Sequence, residues 1–378
     1  MQTTNSQSRA SATALVVLFI AGLLVGGFVI YFINYQQVNS LNGELTSLQT
    51  RVSSLEGFQN ATYQSITITQ NGTSLADLYA SVQQSVVLIH GDTRNGGVQG
   101  SGFVYNFANR NIVLTNFHVV DGTISLSVTF SNGNGYSATV LGTDPYSDLA
   151  VVQVNNAPAS EFKPIQIVSS STLRQGEQVI AIGNPYGLVG SLTTGVVSAL
   201  GRTITEDTAR GFAIANIIQT STPINPGNSG GPLLNAVGNV VGITTAIVSD
   251  SQGLGFAIPS NTILREVSAL INTGSYSGHS YLGVTGQDMD YSIAQEYGTS
   301  VTYGWRIETI VSNGPSDGHL NVGDVVIAMG NQTIKNNDDL ASYLEENTLP
   351  GNNLVITVVR NNQHVDVNVV LGTRPPPT

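Results

Sequence analysis

The pattern of hydrophobic positions divides the chain into three parts. Residues 12–33 form an apolar run of about 22 residues without charge, the length with which a helix crosses a bilayer. Between Val38 and Leu55, hydrophobic residues recur at alternating spacings of three and four, as along the seam of a coiled coil. From about Leu75 onward, short apolar runs alternate with glycine-rich breaks, which is typical of β-strands. The pattern predicts an anchor, a stalk and a mainly β remainder.

The apolar run 12–33 is interpreted as an uncleaved, single-pass signal anchor. A cleaved signal peptide would have a shorter apolar core followed by a cleavage site of small residues. This run instead has Tyr31 and Tyr35 at its C-terminal end, aromatic residues suited to the membrane interface. Arg9 favours a cytoplasmic location for residues 1–11 and an extracytoplasmic location, at the cell membrane, for the rest. Residues 34–74 are predicted as a self-associating coiled-coil stalk; a single amphipathic helix lying on another surface is the alternative.

Two sets of short strands are predicted between residues 75 and 260. Each set spans about 85 residues, and the similar lengths predict two six-stranded β-barrels packed side by side. The first set is expected at residues 85–90, 100–105, 112–115, 138–142 and 149–154, with residues 116–120 closing the third strand and His118 at its end. The second set is expected at residues 178–183, 191–200, 213–220, 230–234, 240–245 and 255–258.

A smaller α+β unit is predicted after the barrels. A connecting helix over residues 261–274 has one apolar face, with Ser260-Asn261 as its cap and Gly274 at its end. Residues 275–372 follow a polar linker and contain runs expected to form strands at 281–285, 305–310, 325–329, 354–360 and 365–371, with a helix at 338–346. The proline-rich tail 373–378 is expected to be extended or disordered.

Composition excludes several classes of function. Charged residues make up 10% of the chain and the net charge is −11, with no block of Lys and Arg, which argues against nucleic acid as a partner. The chain has no cysteine, so disulfides, zinc–thiolate sites and thiol catalysis are excluded.

A serine surrounded by glycines is the strongest candidate for chemistry. Ser229 has Gly227 two residues before it and Gly230 and Gly231 directly after it, so the backbone can turn tightly and no side chain blocks an approaching ligand. The hydroxyl would act as a nucleophile, while the N–H groups of Gly227 and Ser229 hold the oxyanion and Asn228 shapes the loop. A glycine-rich turn without chemistry is the alternative, and other residues must decide between them.

A serine nucleophile needs a base and a group that orients the base. His118 is the only histidine expected at a strand end within the region of the two barrels. Asp148 lies where a turn enters the apolar strand 149–154, which predicts a semi-buried carboxylate. Asp144 is the competing orienter, although its pairing with Pro145 is typical of the start of a turn.

These candidates lie in sequence blocks that resemble the HtrA (DegP/DegS-like) family of serine proteases. The blocks occur in the family's order across about residues 80–260: residues 115–120, 147–151, 182–187, 195–202, 219–220 with 225–232, and 255–259. The resemblance implies a trypsin-like double β-barrel over 75–260 with His118 as general base, Asp148 as its orienter and Ser229 as nucleophile. It also implies a PDZ domain over 275–372, no cofactor or metal, and a homotrimer.

Further roles follow from the resemblance alone. Residues Tyr281, Leu282, Gly283 and Val284 match the PDZ loop whose N–H groups hold the carboxylate of a C-terminal peptide. Arg202 matches a residue that couples PDZ ligands or trimer neighbours to the oxyanion loop; an exposed arginine on a loop is the alternative. Two departures from the family pattern, Phe117 before His118 and Asp317-Gly318-His319 in place of small residues, do not involve catalytic atoms.

The expected function is an ATP-independent, membrane-anchored endopeptidase of protein quality control. Ile224, five residues before the nucleophile and without an acidic neighbour, predicts cleavage after small or aliphatic residues, and the resemblance implies that the substrates are unfolded or damaged proteins. Two alternatives remain open: a regulatory protease that cuts one membrane partner, and a chaperone or peptide-binding scaffold with little proteolysis.

Overall fold

The computed structural model describes residues 74–94, 96–184, 190–205, 213–225, 227–245 and 254–376, together with residues 17, 36 and 37. Apart from those isolated positions, the predicted anchor (12–33) and stalk seam (38–55) lie outside the described residues. Within the described part of the chain, no helix is both long enough and apolar enough to cross a membrane. Gln70–Thr378 form one compact unit.

The first described element of this unit is a helix, α1, at Leu75–Val82, where the hydrophobic pattern predicts the beginning of the strands. Ser74 caps it by accepting a hydrogen bond from the N–H of Asp77 at 3.1 Å. Leu78 and Val82, four residues apart on one face, are buried in the main core. The prediction is wrong here because a helix of eight residues has too few apolar positions to show its period.

The first barrel is closed, with antiparallel neighbours in the order β1-β2-β3-β6-β5-β4. Its strand β4 is absent from the predicted set because only Leu126 and Val128 point inward between serines and threonines, so the segment has no continuous apolar run. The strands are β1 Val86–Thr93, β2 Gly96–Phe107, β3 Arg110–Thr115, β4 Thr123–Thr129, β5 Gly135–Asp144 and β6 Leu149–Val154.

A short helix, α2, at Phe117–Val120 follows β3, so the prediction that His118 ends a strand is wrong. Phe117, Val119 and Val120 are buried, while His118 is half-buried and turned away from them. A segment of only four residues is too short for its pattern to distinguish a strand from a helical turn, which explains the error.

The second barrel is closed in the order β10-β11-β12-β9-β8-β7, which confirms two six-stranded barrels. Leu114 and Leu149 of the first barrel lie in one buried cluster with Ile182 and Ile217 of the second. Each such side chain stabilises the fold by about 1.5–3 kcal/mol, so this shared core fixes the cleft between the barrels. The strands are β7 Gln178–Gly183, β8 Ser191–Thr205, β9 Ala213–Thr220, β10 Pro232–Asn235, β11 Val240–Thr245 and β12 Gly255–Pro259.

The connecting helix, α3, runs from Ser260 to Thr273 and ends at Gly274, which has φ +80°. Ser260 is its first helical residue rather than its cap, and its hydroxyl donates to the carbonyl of Val168 at 2.5 Å. Three apolar residues of the predicted face are buried in the main core: Ile263, Val267 and Leu270. The helix therefore packs on the barrels.

The C-terminal unit is a sheet in the order β14-β15-β16-β18-β19 with two helices. Helix α4 is absent from the predicted elements, and the segment Asp317–His319 forms turns. The elements are β13 Ser280–Tyr281, β14 Val284–Asp288, α4 Tyr291–Tyr297, β15 Trp305–Ile310, β16 Val325–Met329, β17 Gln332–Thr333, α5 Asn337–Asn347, β18 Asn353–Arg360, β19 Gln363–Val370 and β20 Gly372–Thr373. Strand β20 pairs with β13, so the start of the tail is ordered.

Candidate active site

His118 and Asp148 make a two-point contact in the first barrel. The imidazole Nδ1 of His118 lies 2.9 Å from Oδ2 and 3.0 Å from Oδ1 of Asp148, and the backbone N–H of His118 donates to Oδ1 at 3.0 Å. An ionised carboxylate only accepts, so Nδ1 carries the proton and Nε2 is left as the basic nitrogen. This is the tautomer that a general base requires.

Asp148 itself is held by contacts from both barrels. Its carboxylate Oδ2 accepts a hydrogen bond at 3.0 Å from the hydroxyl of Thr245 on β11. Its carbonyl accepts from the N–H of Phe117 and from Nδ2 of Asn116, each at 3.1 Å. The carboxylate is fully buried, so the hydroxyl of Thr245 and the two N–H groups of His118 replace the water it has lost. Sequence reasoning missed Thr245, because nothing local marks a threonine on a distant strand.

The competing carboxylate, Asp144, contacts a different histidine. Its Oδ2 lies 2.6 Å from Nε2 of His279, in the segment between α3 and β13. The structure therefore brings Asp148, and not Asp144, to the imidazole of His118.

The loop of Ser229 is fastened to the first barrel through Ser101 on β2. The N–H of Ser101 donates to the carbonyl of Ser229 at 2.8 Å, and its hydroxyl donates to the carbonyl of Gly227 at 2.6 Å. The same hydroxyl accepts from the N–H of Asn184 at 2.8 Å. Ser101 thus orients the loop at two points, and this role leaves no signal in the sequence beyond its place in a strand.

The glycines around Ser229 are required by space and by conformation. Gly230 has φ +85°, and a Cβ at this position would collide with the carbonyl of Ser101. Asn228 is 2% exposed, and its Oδ1 has no hydrogen-bond partner within the described chain. Ser229 is 6% exposed.

The segments that carry His118 and Ser229 converge on Gly100. A Cβ at Gly100 would lie 2.7 Å from Val119 of α2 and 3.2 Å from the carbonyl oxygen of Ser229. The two segments come from different barrels, so they approach each other across the cleft at Gly100.

Ile224 lies close to this loop. It is partly buried against the core of the second barrel, and a Cβ at Gly255 would lie 2.8 Å from its Cγ1. Ile224 therefore adds an apolar side chain to the second barrel next to β12.

The predicted PDZ loop lines a cavity of about 190 Å³ between β14 and α5. Gly283 has φ +75°, and the apolar side of the cavity is formed by Leu340 and Leu344 of α5. Thr203 and Ala213 of the second barrel also line it, so the second barrel forms part of the cavity wall. The predicted loop residues on the cavity wall are Tyr281, Leu282, Gly283 and Val284.

Arg202 lies at the contact between β8 and α5. Its Nη1 is 3.0 Å from Oδ2 of Asp338, and the N–H of Thr203 donates to the other carboxylate oxygen at 2.8 Å. Ser342 of α5 also donates to the carbonyl of Gly201 at 2.9 Å. The arginine thus links a barrel strand to the first turn of a helix in the C-terminal unit.

Comparisons with known proteins agree with this architecture. The trypsin-like peptidase domain matches residues 100–243, and the PDZ domain matches residues 280–371. The fold and the site therefore define a trypsin-like peptidase domain joined to a PDZ domain.

Relatives narrow this class. The chain is 38% identical over 286 residues to a probable periplasmic serine endoprotease, DegP-like, of Chlamydia pneumoniae, with 74% of this chain and 56% of that protein covered. It is 34% identical over 297 residues to the serine protease Do-like HtrA of Bacillus subtilis (strain 168), with 75% and 65% covered. The chain thus spans little more than half of the first relative. A solved HtrA-type protease, AlgW with tripeptide, is 31% identical with a TM-score of 0.65, and 81% of this chain and 99% of that chain are covered. The chain belongs to the HtrA family of serine proteases.

Proposed function

We propose that this chain is a serine endopeptidase in which Ser229 is the nucleophile, His118 the general base and Asp148 the group that orients the base. The observation that carries the proposal is the two-point contact of His118 Nδ1 with a fully buried Asp148 carboxylate. A surface ion pair would not need burial or a second donor, whereas an orienting carboxylate benefits from both.

The chemistry is acyl transfer in two halves. Ser229 Oγ attacks the carbonyl carbon of the peptide bond while its proton passes to Nε2 of His118. The protonated imidazole then gives this proton to the departing amine, and the chain is left as an ester on Ser229. Water attacks the ester while His118 takes its proton, and the imidazolium returns this proton to Ser229 Oγ as the ester bond breaks and the carboxylic acid product leaves. The side chains supply every group that this route needs, so it uses no metal or cofactor.

The N–H groups of Gly227 and Ser229 are assigned to stabilise the negative charge that develops on the substrate's carbonyl oxygen. Loss of one such donor typically removes about 3–4 kcal/mol of transition-state stabilisation. Ser101 supports this arrangement, because it fixes the carbonyl of Gly227 and that of Ser229 from a separate barrel. Asn228, buried between them, shapes the loop.

The substrate class is unfolded or damaged protein, cleaved after small or aliphatic residues. The partly buried Ile224 supports this preference, because an apolar wall favours an aliphatic side chain over a basic one. The cavity lined by Tyr281–Val284 and α5 supports binding of C-terminal peptides, which would add as a strand along β14.

Residues 12–33 are proposed as a single-pass anchor with the protease and PDZ domains outside the cytoplasm, and residues 34–74 as a stalk of a homotrimer. The uncharged run supports the anchor, and the spacing of the hydrophobic residues between Val38 and Leu55 supports the stalk. Replacing Leu41, Leu45 and Leu48 together by asparagine in the detergent-solubilised chain tests the stalk. We expect the wild-type chain to have the mass of a trimer and the triple variant to have the mass of a monomer. A monomeric mass for both proteins would contradict the stalk.

Two alternatives predict different products. A regulatory protease would cleave one membrane partner and leave a general unfolded substrate intact. A chaperone or scaffold would bind unfolded protein without Ser229-dependent products. Incubation of the full chain with a reduced, alkylated protein and with a fluorophosphonate probe, beside Ser229→Ala, separates these outcomes. We expect cleavage and labelling that are both absent from the variant; their absence from the wild-type chain, with C-terminal peptides present, would exclude the endopeptidase.

A further inference from the structure

The turn that ends at Asp148 has a backbone conformation that needs support. It runs from Asp144 to Asp148 between β5 and β6, and Asp148 has φ +47°. A residue with a Cβ is held in this left-handed region at a cost of about 1–3 kcal/mol, so the surrounding structure must impose it. The carboxylate of Asp148 is directed by this conformation toward His118.

Two side chains of the turn bind residues outside the first barrel. The hydroxyl of Ser147 donates to Oε1 of Glu266 on α3 at 2.9 Å, and Asp144 lies 2.6 Å from Nε2 of His279. The other imidazole nitrogen, Nδ1, is 3.1 Å from Oε2 of Glu345 on α5 of the PDZ domain. We call Asp144, Ser147, Glu266, His279 and Glu345 the junction network. It reaches from the catalytic turn to the PDZ domain through side chains that are buried or nearly so.

The charges of the junction network are balanced by protons. Burial raises the pKa of Glu266 well above its usual value, and the charge of Asp144 adds to the effect, so protonation of this carboxyl is favoured. Burial lowers the pKa of His279, but hydrogen bonds to Asp144 and Glu345 outweigh it and raise the pKa to about 10, so this ring is charged. Arg265 contacts both Glu266 and Glu345.

The remaining groups around His279 are two aromatic rings and the tail. Tyr146 and Tyr276 lie edge-on at centroid distances of 5.3 and 5.0 Å, and the N–H of Arg374 donates to the carbonyl of His279 at 3.0 Å. Carboxylate oxygens of Asp144 and Glu266 and an imidazole nitrogen of His279, atoms that could bind a metal ion, lie within 4.8 Å of one another. Both imidazole nitrogens already contact carboxylates, so we interpret the cluster as one held together by protons.

We propose that Glu266 and His279 are positioning residues of the active site, which hold the turn so that the carboxylate of Asp148 stays on the imidazole of His118. The inference rests on the proposed function. Ser147 is bonded directly to Asp148, so the hydrogen bond to Glu266 restrains the peptide whose rotation sets φ of Asp148. His279 restrains the opposite end of the turn at Asp144. Glu345 contacts the other nitrogen of His279, so the position of the PDZ domain also affects how the turn is held.

The test compares four variants of the full chain: Glu266→Ala, Glu266→Gln, His279→Gln and the control His364→Gln. Glutamine at 266 keeps an oxygen that can accept from Ser147, whereas alanine removes this acceptor. We expect Glu266→Ala to lower kcat about tenfold or more with KM little changed, because misplacement of a catalytic group by about 1 Å has effects of this size. Glu266→Gln should retain most of the activity, and His279→Gln should lie between the two. His364, exposed on β19, makes the same chemical change outside the network.

A second measurement does not depend on activity. The chain has five histidines, so isotope labelling at histidine alone gives five ring signals, which single His→Gln variants assign. In Glu266→Ala the titration midpoint of the His118 signal should fall, because a misplaced carboxylate stabilises the charged ring less. It should be unchanged in Glu266→Gln.

The outcomes separate this inference from the proposed function. A wild-type chain without Ser229-dependent cleavage would exclude the endopeptidase, while the His118 titration would still test the positioning. A folded Glu266→Ala chain with wild-type kcat and an unshifted His118 signal would overturn the inference. Equal losses in Glu266→Ala and Glu266→Gln that follow only the folded fraction would assign the network to stability alone.

Discussion

Thr245 of the second barrel donates a hydrogen bond to Asp148 of the first at 3.0 Å, so the orienting carboxylate is shared between the barrels. Both residues are fully buried. The bond fills a lone pair of Asp148 that His118 does not use, and it ties the position of the carboxylate to β11.

Replacement of this threonine tests that arrangement. We expect Thr245→Val to lower kcat by about tenfold, because a hydrogen bond to a charged group is worth roughly 1.5–3 kcal/mol. Thr245→Ser should restore most of the loss. Thr357→Val is a matched control, since Thr357 donates to Asp366 at 2.7 Å on the exposed face of the PDZ sheet. Steady-state peptide hydrolysis is the measurement; equal kcat in Thr245→Val and Thr357→Val would contradict the assigned role.

The second prediction concerns the loop of Ser229. Gly230→Ala and Gly176→Ala add a methyl group at almost the same backbone angle, φ +85° and +88°. The backbone angle alone should cost each variant about 1 kcal/mol of unfolding free energy, and Gly230→Ala should lose more because its Cβ also collides with neighbouring atoms. Only at Gly230 does the new Cβ meet the Ser101 carbonyl, whereas nothing lies within 4 Å of it at Gly176. Fluorophosphonate labelling should therefore disappear in Gly230→Ala and persist in Gly176→Ala, and chemical denaturation reports the two stabilities.

Arg202 is proposed to couple the PDZ domain to the oxyanion loop through Asp338. Its side chain is 48% exposed, so loss of the ion pair should change stability by no more than about 1 kcal/mol. Arg202→Ala should nevertheless reduce activation by C-terminal peptides. Arg174→Ala, which removes an exposed pair with Glu177, is the control.

The reversed pair sharpens this test. Arg202→Asp combined with Asp338→Arg should recover part of the activation that either single variant loses. Peptide-stimulated rates that remain the same in Arg202→Ala as in the wild-type chain would show that the arginine only solvates its loop.

The charge of His279 predicts how stability depends on pH. Its pKa is about 10 in the folded chain against 6.5 as the ordinary value. A raised pKa means that the folded state binds the proton more tightly, so the stabilisation is fully present below pH 6.5 and is lost as the pH rises through about 10. Glu266 changes stability in the same direction, because burial raises the pKa of its carboxyl in the folded chain and stability is lost as this group gives up its proton.

Thermal unfolding between pH 7 and pH 10 measures this effect. The Tm of the wild-type chain should fall more steeply over this interval than that of His279→Gln, which has no proton to lose there. His364→Gln should follow the wild-type slope. Parallel slopes in the wild-type chain and His279→Gln would contradict the assignment.

The sequence predicts the strands of this fold best where apolar runs are long. β6, β7, β9, β11, β15 and β16 begin and end at the predicted residues. β4, α1 and α4 are not predicted by the sequence, because alternation with serine, or a helix of only about two turns, leaves a weak hydrophobic signal.

The candidate site divides in a similar way. His118, Asp148 and Ser229 are identifiable because their local sequences are unusual, and the structure brings His118 and Asp148 into contact. Thr245, Ser101 and His279 carry no local signal. Their contacts join residues far apart in the chain, such as Ser101 with Gly227, and only the packing of the two barrels creates them.

The two hydrogen bonds of Ser101 to the loop of Ser229 limit how the barrels can be exchanged between relatives. In a chimera whose first barrel comes from one protein and whose second barrel comes from another, Ser229 comes from one parent. Ser101, which binds the loop of Ser229, comes from the other parent. Gly100 and Ser101 must therefore travel with the loop 227–231 as a single unit of inheritance, although about 125 residues separate them along the chain.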